Sequence, residues 1–134
     1  MAAVAALSCI PLSSATAPQV TPLEARQMIN AVLPLYKGKP PVIELDREQD
    51  GCMVYHAYRD SAPQFPGDAE IHTNTIGWWS IDIRTAEVWD VHEARVESQR
   101  LALIQNKIRK RLKVTSDEQR QSISRPCDER GFSK

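Results

Sequence analysis

Gly77-Trp78-Trp79-Ser80-Ile81-Asp82-Ile83-Arg84-Thr85-Ala86-Glu87-Val88-Trp89-Asp90 is the stretch that decides the fold of this chain. Apolar and polar residues alternate on both sides of a tight turn, in β-branched and aromatic types, so it reads as two antiparallel strands. All three tryptophans of the chain lie in it, which puts the hairpin at the centre of the core. Adjacent strand residues point to opposite faces, so Trp78 and Trp79 cannot share one core. Trp79 continues into Ile81 and Ile83, a more apolar row than Trp78, Ser80 and Asp82. The expectation is therefore Trp79 inward and Trp78 outward, with the register left to decide it.

Working outward, residues 70–84 form a long third strand and 87–91 a fourth. Cys52 to Arg59 is a second strand, with Cys52, Val54, His56 and Tyr58 on one face and Met53, Tyr55, Ala57 and Arg59 on the other. Between it and the third strand, Pro63, Pro66 and Gly67 mark a surface loop. Val42 to Leu45 is a short first strand, separated from the second by a turn over Arg47 to Gly51. Thr21, Pro22 and Glu24 make a helix start with a capping box. Ala25, Met28, Ile29, Val32 and Leu33 give that helix an apolar face, and Pro34 ends it. From Glu93 to Val114 the period is helical again, with Leu101, Ile104, Ile108 and Leu112 on one stripe and Leu103 at its edge. The order helix, four-strand meander, helix defines an α+β two-layer sandwich, an antiparallel four-stranded sheet with two helices on one face.

A chain of 134 residues is one domain by length. Lys+Arg and Asp+Glu both number 17, so no overall charge selects a nucleic acid or membrane partner. Residues 1–17 carry no charge and end in small residues, as in an export signal, although a positive start is missing. Ala15-Thr16-Ala17 offers one cleavage site. Ala6-Leu7-Ser8-Cys9 offers a second, a lipobox in which Cys9 is lipidated. A disordered Ala-rich leader is the alternative. If Cys9 is used in this way, Cys52 and Cys127 remain as an even pair for an oxidising compartment. Two free thiols are the other possibility. The chain thus divides into a leader (1–17), a single α+β domain (18–114) and a polar tail (115–134) without regular structure except where Cys127 is tied down.

The start Thr21-Pro22-Leu23-Glu24-Ala25 and the hairpin Trp79-Ser80-Ile81-Asp82-Ile83-Arg84-Thr85-Ala86-Glu87-Val88 together resemble the PepSY-type pattern. That pattern is a capped helix followed by strands that end in a V-D-x-x-T-G-E-V signature. The resemblance covers about seventy residues of small bacterial extracytoplasmic domains; some immunity and inhibitor proteins are built similarly. It implies an envelope protein that binds or inhibits, and it brings no catalytic residues. Ala86 stands where the family has Gly, so either the turn differs or a Cβ is held at positive φ, at a cost of about 1 kcal/mol.

No nucleophile–base spacing, phosphate loop or cofactor motif is present. His56, His72 and His92, with Asp90 or Glu93, could in principle hold zinc, but no short His pair supports a metal site. Asp82 and Asp90 could pair as carboxylates, or be ordinary residues of a solvated sheet face. Arg100, Lys107, Arg109, Lys110, Arg111 and Lys113 make the last helix basic, either as a solvated face or as a contact for an acidic partner, anionic lipid or nucleic acid. Aromatic and Arg side chains are the usual interface anchors. The expected partner surface is Trp78 bordered by Tyr55, Tyr58, Arg59 and Trp89.

These features favour a non-enzymatic protein in the bacterial periplasm, or anchored by lipid to face it. Its expected role is to bind a protein partner such as a secreted hydrolase or toxin, as an immunity protein or inhibitor. The alternatives are a structural envelope lipoprotein and a cytoplasmic nucleic-acid binder that uses the basic helix.

Overall fold

The hydroxyl of Thr21 accepts from the Glu24 N–H (3.2 Å) and the Glu24 carboxylate accepts from the Thr21 N–H (2.9 Å). This reciprocal cap opens helix α1 (Pro22–Val32). The computed structural model describes residues 18–35, 37–61, 72–92 and 94–127, with the side chains of 61, 72 and 73 left aside. The leader with Cys9, the side chain of His72, and Glu93 lie outside the described residues. Four strands follow α1: β1 (Val42–Gln49), β2 (Cys52–Ser61), β3 (His72–Asp82) and β4 (Val88–Asp90). They form an antiparallel sheet in chain order. Two further helices complete the domain, α2 (Gln99–Leu112) and α3 (Ser116–Ser124).

The α+β sandwich expected from the sequence is the observed architecture. One sheet face carries Met53, Tyr55, Ala57, Trp79 and Ile81. These pack with Ala25, Met28 and Ile29 of α1 and Leu101, Ile108 and Leu112 of α2 in a single core. Trp79 is inside and Trp78, its chain neighbour, is on the other face, as the apolar row through Ile81 requires.

Three elements differ from the sequence expectation. First, β1 runs on to Gln49, and the turn is Asp50-Gly51, both at positive φ (49° and 76°). That is the two-residue hairpin whose twist matches the strands. Second, α2 starts at Gln99, capped by the Ser98 hydroxyl, and not near Glu93. The segment before it runs along the sheet edge: the Val96 N–H donates to the Val88 carbonyl, and Arg95 bridges to Trp89. Third, the tail expected to be irregular contains α3. Thr115 and Glu118 form a second capping box at its start. Only Ser122 is buried on this helix, so polar bonds hold it where an apolar stripe would hold most helices.

Those bonds converge on the β3–β4 turn. Asp82 Oδ1 accepts from the N–H groups of Arg84 and Thr85, and its Oδ2 accepts from the Ser122 hydroxyl (2.9 Å). The Thr85 hydroxyl donates to Ser122 (2.7 Å). Arg84 donates to the Leu112 carbonyl at the end of α2 (2.7 Å) and pairs with Glu118 of α3 (3.2 Å). Beside this turn the carboxylate of Glu87 is buried and held by Arg95 and Arg109, each at 2.7 Å. Arg109 Nε also donates to the Thr85 carbonyl. Ala86 has φ +63° and is fully buried. Its carbonyl accepts from the Gln105 side chain (2.8 Å). The turn keeps the geometry for which the resemblance called for Gly, with a Cβ in the left-handed region.

Cys127, just past α3, forms a disulfide with Cys52 at the start of β2 (Cα–Cα 5.9 Å). The pair packs with Trp89 in a small second cluster, separate from the main core.

Candidate functional site

The sheet face away from α1 and α2 is divided. At the Cys52 end sits the disulfide, and Cys52, Val54, Ser80 and Trp89 are all buried there. Farther along the same rows the face opens. Cross-strand pairing aligns Glu44 of β1, His56 of β2 and Trp78 of β3. A bulge next to Tyr58 shifts the register so that Tyr58 faces Thr75, which brings the Thr75 hydroxyl onto this face.

The side chains there are ordered by one another. The His56 ring stacks on the Trp78 indole, with centroids 4.1 Å apart and planes within 10°. His56 Nε2 lies 2.9 Å from Thr75 Oγ1. Tyr58 is tilted against His56 at 5.1 Å, and its hydroxyl donates to Glu44 Oε1 (2.7 Å). That bond to a carboxylate favours the protonated phenol and pushes the Tyr58 pKa up. Trp78, His56 and Tyr58 are half-buried, and Glu44 and Thr75 are exposed. The result is an aromatic cluster held by stacking and hydrogen bonds, with Glu44 and Thr75 at its rim. Such a surface suits protein contact: large area is presented with little side-chain entropy left to lose.

Of the residues expected at this surface, Trp78 and Tyr58 are present. Tyr55 is not. It is fully buried on the helix side, and its hydroxyl meets the sulfur of Met53. Burial also pushes its pKa up. Trp89 is on the correct face but 96% buried, as its 4% exposure against the disulfide requires. Both are removed from the candidate border. Arg59 is half-buried, with its guanidinium on the carbonyls of Lys37 and Lys39 (3.2 Å each), so it braces the entry to β1. His56, which stacks on Trp78, and Glu44 and Thr75, which bond to Tyr58 and His56, are not among the residues expected at this surface from the sequence. The alternating row through His56 and Tyr58 was the signal for one strand; the matching residues on β1 and β3 needed the register.

The candidate carboxylate pair is not assembled. Asp82 is buried on the disulfide face, and Asp90 pairs with Trp79 on the helix-side row. Asp82, Ser122 and Thr85 form a closed chain of hydrogen bonds with no histidine in it. That chain staples α3 to the turn; among the described residues no histidine is hydrogen-bonded to Ser122. The buried Glu87 site has the same character. Desolvation lowers the pKa of Arg109, while the hydrogen bond to Glu87 raises that of Arg95. Among the described residues, no group of three His, Cys, Asp or Glu side chains is placed to hold a metal ion.

No protein-family model matches the chain, and no curated protein sequence does. Among solved structures, the fold is similar to that of a chain in a type VI secretion system effector–immunity complex from Pseudomonas protegens. The TM-score is 0.52 at 14% sequence identity, covering 79% of this chain and 90% of the other. At that identity the likeness is one of fold.

Proposed function

We propose that this chain is a non-enzymatic, extracytoplasmic protein that binds and neutralises a protein toxin or secreted hydrolase, as an immunity protein does. The observation that carries the reading is the Trp78–His56–Tyr58 surface, ordered by stacking and hydrogen bonds on an open sheet face. Its fold is similar to that of a chain in an effector–immunity complex, and a protein-binding role is in keeping with that likeness. The Cys52–Cys127 disulfide fits an oxidising compartment, and the PepSY-like start and hairpin fit the envelope. A neutralising protein works by filling a cleft with a rigid surface, and for that a built aromatic anchor is sufficient.

The test is reconstitution. The tagged protein is used to recover partners from the envelope fraction of its own host, and the recovered enzyme is assayed with and without purified protein. Stoichiometric inhibition that Trp78→Ala weakens by about tenfold or more supports the reading. A recovered enzyme that keeps full activity in the presence of excess protein would refute it.

A further inference from the structure

The outer surface of the helix layer lies across the sheet from Trp78. A groove of about 610 Å³ runs there between α1 and α2, with Ala31, Ile104 and Ile108 lining its apolar part. Glu24 and Arg111 stand in its wall and pair with each other. Arg100 and Lys107, also in the wall, have no ion-pair partner among the described residues. No acidic residue occurs anywhere in α2. Leu103 stands between Arg100 and Lys107 on the helix surface, one turn from each, and is 68% exposed.

This is an unusual outer face for a helix. The outward side of an amphipathic helix carries mixed charge that water satisfies. Here uncompensated cations flank an exposed leucine and an apolar groove. The chain as a whole is neutral, so the positive charge is local.

We propose that this groove binds an acidic peptide segment with interspersed apolar side chains, presented by a partner protein. The carboxylates meet Arg100 and Lys107, and an apolar side chain enters between Ile104 and Ala31. Ile108 at the groove floor is only 3% exposed; an inserted side chain reaches it, while a flat bilayer surface rests on the rim. Nucleic acid is disfavoured because, among the described residues, no aromatic ring lines the groove for a base to stack on. The surface is separate from the Trp78 face, so the inference stands independently of the function proposed for that face.

The probe is a short fluorescent peptide of alternating Glu and Leu, titrated against the full chain by anisotropy. A Glu/Gly peptide of the same charge and a Lys/Leu peptide serve as controls. The Glu/Leu peptide binds about tenfold or more tightly than either control, and binding weakens as salt is added. Arg100→Glu with Lys107→Glu abolishes it, and the milder pair Arg100→Gln with Lys107→Gln weakens it in a chain whose circular dichroism melt is unchanged. Ile104→Ala weakens it, and Trp78→Ala leaves it intact. Equal binding of Glu/Leu and Glu/Gly peptides overturns the proposal, as does binding that ignores the charge changes. Binding confined to phosphatidylglycerol vesicles would assign the groove to membrane and also overturn it.

Discussion

The indole of Trp79 lies back across Gly77, its neighbour on the same face of β3: a Cβ at Gly77 would stand 2.7 Å from Cη2 of the ring. The glycine is therefore a packing requirement of the inward tryptophan. Real Cβ atoms do not approach that closely, so either the ring or the strand must move.

Gly77→Ala is accordingly expected to lower stability by about 1–3 kcal/mol through overpacking. Urea denaturation measures this. A neutral result would mean that Trp79 has another rotamer available within the core.

Trp78 and Trp89 should respond oppositely to truncation. Trp78→Ala loses one stacked pair with His56 and some half-exposed area, a cost of about 1 kcal/mol. Trp89→Ala empties a buried site beside the disulfide and should cost about 3–5 kcal/mol. Paired thermal melts decide. If the Trp78 variant is the less stable of the two, the open face is part of the core and the proposed surface is wrong.

Glu87→Ala leaves the Arg109 guanidinium, which is mostly withdrawn from water, without its carboxylate. The expected loss is about 3–5 kcal/mol. Adding Arg109→Met should recover part of it, because the stranded charge is then gone. Chemical denaturation of the single and double variants separates the two outcomes; no recovery would mean that the Arg109 guanidinium is satisfied without Glu87, by the Thr85 carbonyl and solvent.

Acid should loosen the α1–α2 contact through Glu24. Burial alone would raise its pKa, but the hydrogen bonds from Arg111 and from Thr21 outweigh this and set it below its ordinary value. A lowered folded pKa means the stabilisation is complete above the ordinary carboxylate range and is lost as pH falls through the folded value. Glu24→Gln should therefore flatten part of the acid limb of a stability–pH curve and leave its alkaline limb alone. Identical acid limbs in variant and wild type would show that the pair is screened by solvent.

Oxidised protein should carry Cys52 and Cys127 in one cross-linked peptide. Closing so long a loop limits the unfolded chain, and its reduction should cost up to about 4 kcal/mol on the chain-entropy view. Non-reducing peptide mass spectrometry and a melt with reductant check the two halves of this expectation.

Local chemistry was legible where one element sufficed. Thr21 with Glu24 announced α1, and the row Trp79, Ile81, Ile83 announced which face of the hairpin is buried. The limits came from partners distant in sequence. Trp89 read as a surface aromatic because Cys127, which covers its neighbourhood, belongs to a segment with no apolar period. α3 was missed for the same reason: its anchors are Arg84, Asp82 and Thr85 acting on Glu118 and Ser122, and polar staples leave no periodic trace. β1 looked short because an edge strand with six exposed residues in succession shows no alternation. For the candidate site, the row of His56 and Tyr58 was visible. The stack on Trp78 and the bond to Glu44 depend on register and on the bulge beside Tyr58, which composition does not encode.

The bond between Cys52 and Cys127 makes a covalent ring of β2, β3, β4, α2 and α3, with 75 positions separating its two cysteines. A protease that cuts once anywhere inside this ring opens it without producing two molecules. A cut between β1 and β2 has a different outcome, because α1 and β1 lie outside the ring and are kept only by packing and pairing. The Trp78–His56–Tyr58 stack belongs wholly to the ring, whereas Glu44 and one wall of the helix groove do not. Nicking before Cys52 would thus strip the groove while leaving the aromatic stack on its tethered strands.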